Sequence, residues 1–205
     1  MKKLIGVLLF MASLCSTARG QDVALKTNVL YDAALTVNAG LEIGLAPRWS
    51  LDVSGNFNGW TLDSGKRWKH WMVQPEARYW FCDRFAGHFL GFHALGGQYN
   101  FGGFNPGVKF LGWGRDDEGK YSGTDLTKLK DHRYQGWGVG AGIAYGYAWI
   151  LGKHWNLEAE IGVGYIYTRF DKYECKECGK KLNDGELKHN YVGPTKAAIN
   201  LVYVF

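Results

Sequence analysis

The sequence has no apolar run of the ~18 residues that a membrane-spanning helix requires, and its mean hydropathy is slightly negative, at −0.24. A helical membrane protein is excluded on both counts. Proline is scarce, at 4 residues, and the glycines follow no triplet period, which excludes collagen. No apolar heptad is sustained, so a coiled coil is excluded as well. Apolar side chains are not in short supply: at 46% of the chain they suffice to form packed surface, which rules out disorder. What is abundant is glycine, at 29, and aromatic residues, with 9 Trp, 12 Tyr and 11 Phe in 205 residues. That length suits one domain with its own core.

A formal net charge of +5 invites a nucleic-acid partner. The amino-terminal segment removes that reading. Met1-Lys2-Lys3 is a basic start, and the apolar stretch Leu4–Leu14 is the length of a secretory h-region, too short to span a bilayer. Ala18-Arg19-Gly20 then places small residues before Gln21, so residues 1–20 are expected to be a cleaved signal peptide and 21–205 the mature domain. A lipoprotein signal ending at Cys15 is the competitor, but Leu14 stands where a small residue should precede a lipidated cysteine. Lys2, Lys3 and Arg19 leave with the leader, so the surplus of five positive charges falls by three to two. No basic block remains beyond short loop clusters such as Lys66–His70, and a phosphate-binding face needs clustered charge. No nucleic-acid partner is expected.

The mature chain has one dominant period, and it is two. Ser50–Phe57 sets Leu51, Val53 and Phe57 on one face and Ser50, Asp52, Ser54 and Asn56 on the other. Trp137–Trp149 and Trp155–Tyr165 alternate in the same way. Eight strands follow, at about 22–32, 37–46, 48–59, 70–81, 87–100, 134–150, 154–169 and 191–205. Three connections are short, at Pro47-Arg48, Cys82–Ala86 and Leu151–Lys153, and the others are mostly longer, notably about 101–133 and 170–190. Short turns at one end and long loops at the other are the asymmetry of an outer-membrane barrel. The expected fold is all-β, an eight-stranded antiparallel up-and-down transmembrane barrel.

The two faces decide between a membrane barrel and a soluble, lipocalin-like one. One face carries Leu25, Val29, Leu41, Ile43, Val139, Ile143, Ile161, Val163 and similar residues. The other carries Lys26, Glu42, Asp52, Glu76, Arg78, Glu158, Glu160 and Lys196, both signs in similar number, as a self-neutralising lumen needs. Near the strand ends of the apolar face stand Trp49, Trp71, Tyr79, Trp137, Tyr147, Trp149, Trp155 and Tyr167, the arrangement of interfacial girdles. The chain ends on Phe205 with Tyr203 and Leu201 at alternate positions before it, which resembles the carboxy-terminal signal of bacterial outer-membrane proteins. That resemblance implies recognition by the barrel-assembly machinery. Outer-membrane lipid is the other expected partner, and the outer membrane the expected location.

The stretches Ala24–Asn28, Trp68–Trp80 and Tyr191–Ala198 also resemble a family of small Bacteroidetes outer-membrane barrels catalogued as a domain of unknown function. The resemblance covers essentially the whole mature chain and brings no established activity. Some relatives are associated with fimbrial gene clusters, which implies a role in surface assembly.

Several constellations suggest chemistry. Gly136–Gly142 superficially resembles a dinucleotide fingerprint, but its glycines alternate within one strand and no helix follows, so no cofactor is expected. Those glycines, with Gly91 and Gly97, leave a wall without lumen side chains. The space is expected to be filled by Phe89, Trp80, Met72 and Arg78; the alternative is a lumen pocket for a lipid or small ligand. Lys26 and Arg78 are expected to pair with Glu76, Glu158 or Glu160, plugging the lumen. Cys175 and Cys178 lie in the last long loop, where a local disulfide or a dithiol is expected in an oxidising compartment. A metal site joining them to His189 and Asp184 lacks the full ligand pattern, so no metal is assigned. The loop residues Asp116, Asp117, Ser122, Asp125 and His132 supply the types a lipid hydrolase or acyltransferase uses, but nothing fixes their geometry. With Phe104, Phe110 and Trp113 among charges, that loop reads better as an interaction surface for a surface or fimbrial protein. The expected role is therefore non-enzymatic and structural or surface-interacting. The alternative is a lipid-modifying enzyme or a small-ligand or lipid-binding barrel.

Overall fold

In the computed structural model, which describes residues 22–61, 66–103, 105, 107, 109–115, 121–174, 179–183 and 185–205, period two becomes one antiparallel sheet. Its strands are β1 (Val23–Asn28), β2 (Val37–Ala46), β3 (Trp49–Asn58), β4 (Arg67–Trp80), β5 (Gly87–Gly102), β6 (Lys109–Arg115), β7 (Tyr121–Asp125), β8 (Arg133–Ile150), β9 (Trp155–Tyr173) and β10 (Leu187–Val204). Eight of them close a barrel. β1 to β5 run in order, β8, β9 and β10 follow β5, and β10 pairs back onto β1. The expected eight-stranded up-and-down ring is present. The leader expected at residues 1–20 lies outside the described residues.

Following hydrogen-bonded partners around the ring from Ala24 leads through Glu42, Asp52, Glu76, His93, Gly142 and Gly164 to Gly193, eleven residues from Val204, where β1 closes on β10. With Thr195 bulged out of register, the shear is ten. Eight strands with that shear, at a rise of about 3.3 Å per residue and a spacing of about 4.8 Å, tilt by roughly 40°. The short turns mark the lower end of the barrel, where both Val23 and Val204 lie.

Two features depart from the sequence reading. The first strand stops at Asn28 rather than running to residue 32, and a one-turn helix, α1 (Val29–Ala33), follows. Asn28 ends the strand because its Oδ1 accepts the Leu30 N–H at 3.1 Å, an N-cap. The 101–133 connection is not a simple loop. It folds into the β6–β7 hairpin, and β6 joins β10 above the reach of β1, from His189↔Gly114 to Val192↔Leu111. A 3-10 turn, Leu126–Lys130, then leads back to β8.

The outer face of the barrel is apolar, and the charged side chains are inside. Ile161, Val163, Ile143 and Phe92 point outward and are 52–63% exposed, while Trp80, Arg78, Phe89 and Glu42 point inward and are fully buried. Among the described residues, no helix is long and apolar enough to cross a membrane.

Candidate functional site: a layered lumen

The interior is built in layers, starting with an aromatic floor. The turn between β4 and β5 folds inward and places Phe85 in the lumen beside Trp80, at 6.0 Å between ring centroids. Phe85 adopts φ +62°, a conformation that costs a bulky residue about 1–3 kcal/mol. Its backbone carbonyl accepts a hydrogen bond from buried Asn156 at 2.7 Å, which holds the turn in place. Phe89 packs on Trp80 at 4.7 Å, and Ala24, Ala148, Val202 and Val204 complete the layer. A single turn residue such as Phe85 carries no periodic signal, so the sequence did not mark it.

Above the floor lies a charged layer. The Arg78 guanidinium stacks over Phe89 at 4.5 Å and reaches five carboxylates: Glu76 at 2.6 Å, Glu160 at 2.7 Å, Glu42 and Glu158 at 2.9 Å, and Asp52 at 3.2 Å. Lys26 pairs with Glu42 and with Glu158, the latter at 3.0 Å, and Lys196 pairs with Glu76 at 2.7 Å and Glu160 at 3.1 Å. All eight charges named from the sequence are thus in one buried cluster. Register explains this: Glu42, Asp52 and Glu76 share one inward diagonal, and Glu158 and Glu160 face it from β9. The signs are less balanced than the alternation implied, with five carboxylates to three cations. His93, not singled out in the sequence, lies beside them, its Nε2 2.8 Å from Thr195 Oγ1 and its Nδ1 3.6 Å from Glu76. Next to the cluster, beneath α1, is a polar cavity of about 30 Å³ lined by Asp52, Asn56, Ser54 and Tyr31 among others. That is room for one or two waters.

The glycine-lined wall is filled at its lower end. A side chain at Gly146 would meet Phe89, and at Gly142 it would meet the His93 ring and the Val163 carbonyl. Trp80, Phe89 and Arg78 pack in that lower lumen, but Met72 does not join them. It stands higher on β4 and lines a large chamber.

This chamber, of about 510 Å³, fills the upper lumen between β4, β5, β8, β9 and β10. Its walls are the inward residues Trp68, Met72, Leu95, Tyr99, Phe101, Tyr134, Ile166, Phe170, Leu187 and Tyr191, and Leu126 and Leu129 of the 3-10 turn roof it. The lining is overwhelmingly apolar, with rings locked against one another: Trp68 stacks on Phe101 at 4.3 Å and Tyr99 on Phe101 at 5.0 Å. The few polar groups are engaged locally. His189 Nε2 lies 2.8 Å from Thr124 Oγ1, His70 Nδ1 lies 3.0 Å from the Trp68 carbonyl, and Tyr99 Oη lies 2.6 Å from Thr168 Oγ1. A void of 300–1,000 Å³ with apolar walls and a few placed polar groups has the size and chemistry of a small-molecule site.

The aromatic residues named from the sequence stand on the outer surface. Trp49 packs with Tyr79 at 5.2 Å, Tyr147 with Trp149 at 4.8 Å, and Trp155 with Tyr203 at 5.0 Å around the lower end. Tyr203 in turn meets Phe205 at 5.1 Å, and Leu201 lies on the same outward face. At the upper end Trp137 meets Tyr167 at 6.1 Å, and Trp71 bonds Gln98 at 3.1 Å. Above that ring, Lys181 bonds Asp171 at 2.8 Å, which raises its ammonium pKa above the ordinary lysine value.

Cys175, Cys178, Asp184, Asp116 and Asp117 lie outside the described residues. Cys82 is a free, exposed thiol in the lower β4–β5 turn. Among the described residues, no group of three or more His, Cys, Asp and Glu side chains is arranged to hold a metal ion.

Fold and interior together define a closed antiparallel barrel with an ion-paired lower lumen and an apolar upper chamber. Over residues 6–205 the chain matches the family described as "Protein of unknown function (DUF3575)", and it belongs to that family. No curated protein matches it.

Proposed function

We propose that this protein is a transmembrane barrel of the outer membrane that binds a small hydrophobic ligand in its upper lumen and has no catalytic role. The observation that carries the ligand reading is the apolar chamber of about 510 Å³, closed from below by the Arg78 cluster and the Phe85 floor. It favours the ligand-binding alternative over a purely structural or surface-interacting role. Leu126 and Leu129 of the 101–133 connection, the stretch that also suggested an interaction surface for a surface or fimbrial partner, line the chamber's upper side.

The membrane reading is supported by the outer belt. On β9, outward residues from Trp155 to Tyr167 include Ile161 and Val163, and twelve residue steps at ~3.3 Å and ~40° tilt span roughly 30 Å along the barrel axis. That matches an apolar band with its two girdles. In this reading residues 1–20 are the export signal, and Phe205, Tyr203 and Leu201 present the terminal strand to the barrel-assembly machinery.

Native mass spectrometry of the detergent-purified barrel with N-phenyl-1-naphthylamine tests the ligand site. One bound molecule per barrel is expected, and a protein that takes up none contradicts the reading. The lower lumen makes a separate prediction. Arg78 and its five partners occupy the middle of an eight-stranded barrel, which has room for little beyond its own side chains, so no sustained ion current is expected in planar bilayers. Steady conductance at constant voltage would show a path past the cluster.

A further inference from the structure

The chamber carries its fixed charge at one end only. Among the described residues of the lining, Lys172 alone is formally charged, and no carboxylate is present. The alternation of β9 puts the lysine at the top. Ile166, Thr168, Phe170 and Lys172 succeed one another up the inward face, so Lys172 stands roughly 15 Å above Ile166 at ~3.3 Å per residue and ~40° tilt. The strand is held at that height: the Lys172 N–H donates to Asn183 Oδ1 at 2.8 Å, and its carbonyl accepts the Leu182 N–H at 2.8 Å. A half-buried lysine lays its methylene stem along an apolar wall and keeps its ammonium at the edge. The carboxylates nearest it in sequence lie off the lining. Asp171, on the opposite face of the strand, bonds Lys181 at 2.8 Å, and Glu174 is exposed beyond the strand end.

Below the chamber the sign of the charge is opposite. The cluster around Arg78 holds five carboxylates and three cations, a formal excess of two negative charges. A ligand with an anionic end is repelled from below and attracted above, and an apolar lumen screens neither interaction strongly. A cationic amphiphile would meet an ammonium at the top and no carboxylate in the walls. The volume limits the size. An apolar cavity of about 150 Å³ takes up one benzene, so about 510 Å³ accommodates roughly twenty non-hydrogen atoms, the size of one long-chain fatty acid and too small for a two-chain phospholipid.

We infer that the ligand of the chamber is a long-chain fatty acid, bound with its tail among the rings and its carboxylate on Lys172 at the upper end. The inference rests on the ligand-binding reading above and adds the class of ligand and its orientation. Trp68, Phe101 and Phe170 enclose the chain, and Met72, Leu95 and Ile166 close around its far end. The ammonium donates a charge-assisted hydrogen bond to the carboxylate.

Displacement of N-phenyl-1-naphthylamine from the detergent-purified barrel tests this. Palmitate is compared with hexadecanol, which has the same chain length and no charge, at mildly alkaline pH and with each corrected for its partition into detergent. The native barrel is expected to prefer palmitate by about tenfold or more, the effect of one hydrogen bond between charged groups. Lys172→Gln is expected to abolish that preference, and Lys172→Arg to keep most of it. Leu187→Glu, a chamber-lining position on β10 opposite Phe170, brings a carboxylate to the same end and is expected to abolish it as well. Equal affinity for palmitate and hexadecanol in the native barrel overturns the inference and leaves the ligand chamber standing. A preference that survives Lys172→Gln or Leu187→Glu overturns it too. A barrel that binds none of the three compounds removes the chamber reading with it.

Discussion

Replacing Arg78 with alanine is expected to destabilise the barrel by about 3–5 kcal/mol or to prevent its assembly, the largest effect of any single substitution in the lumen. Five carboxylates lie within 3.2 Å of this guanidinium, and with Arg78 gone only Lys26 and Lys196 remain to balance them. The carboxylates are buried and cannot recover water in its place, so the cost is mostly that of charges left unpaired. Phe89 would lose its stacking partner at the same time. Arg78→Lys keeps the charge but not the planar fork that serves several carboxylates at once, so an intermediate loss is expected. Urea unfolding in detergent, followed by the loss of heat-modifiable gel migration, measures both. An alanine variant within 1 kcal/mol of the native barrel would mean that the cluster does not hold the lower lumen together.

The second large effect is expected from Gly138→Phe. Gly138 lines the chamber, and a Cβ added there meets nothing closer than 3.4 Å. Its neighbours on the same wall are different: at Gly140 an added Cβ would sit 2.4 Å from the Tyr165 carbonyl, and at Gly97 2.2 Å from the Trp71 carbonyl. Gly138 is thus a place where a ring can be directed into the void without moving the backbone. The ring would occupy space that the ligand needs, and N-phenyl-1-naphthylamine binding is expected to fall at least ~10-fold, about 1.4 kcal/mol. Urea stability should stay the same or rise slightly, because an apolar void is being filled. Unchanged binding in a folded variant would place the ligand elsewhere on the barrel, and the detergent-exposed belt would be the alternative.

Much of the ring was legible because period two with one buried face fixes both the strand and its orientation. The hairpin was not legible, because Phe110, Leu111 and Trp113 make both faces of β6 apolar and blur the alternation. Its partner, moreover, is the distant upper edge of β10. The α1 helix is too short for a helical period, and its cap at Asn28 shows only in the fold. The charged layer could be named because charged residues at alternate strand positions have to face one another inside. The chamber could be posed only as an alternative. Trp68, Met72, Tyr99 and Phe101 lie on the same face as the charges, and the strand alternation does not say whether inward rings meet or leave a gap. Tilt and register decide that, together with the roof that the 101–133 connection forms.

The central claim is that the apolar outer face lies in lipid and the charged face lies inside. Spin labels at Ile161→Cys and Ile143→Cys, in a protein whose Cys82, Cys175 and Cys178 are serine, test it directly in reconstituted bilayers. Both sites are outward and more than half exposed, at 63% and 55%. Collision with dissolved oxygen is expected to exceed collision with a water-soluble nickel chelate at both positions, as it does for labels in hydrocarbon. Nickel collisions dominating at both would mean that this face meets water, and the membrane-barrel account would be wrong.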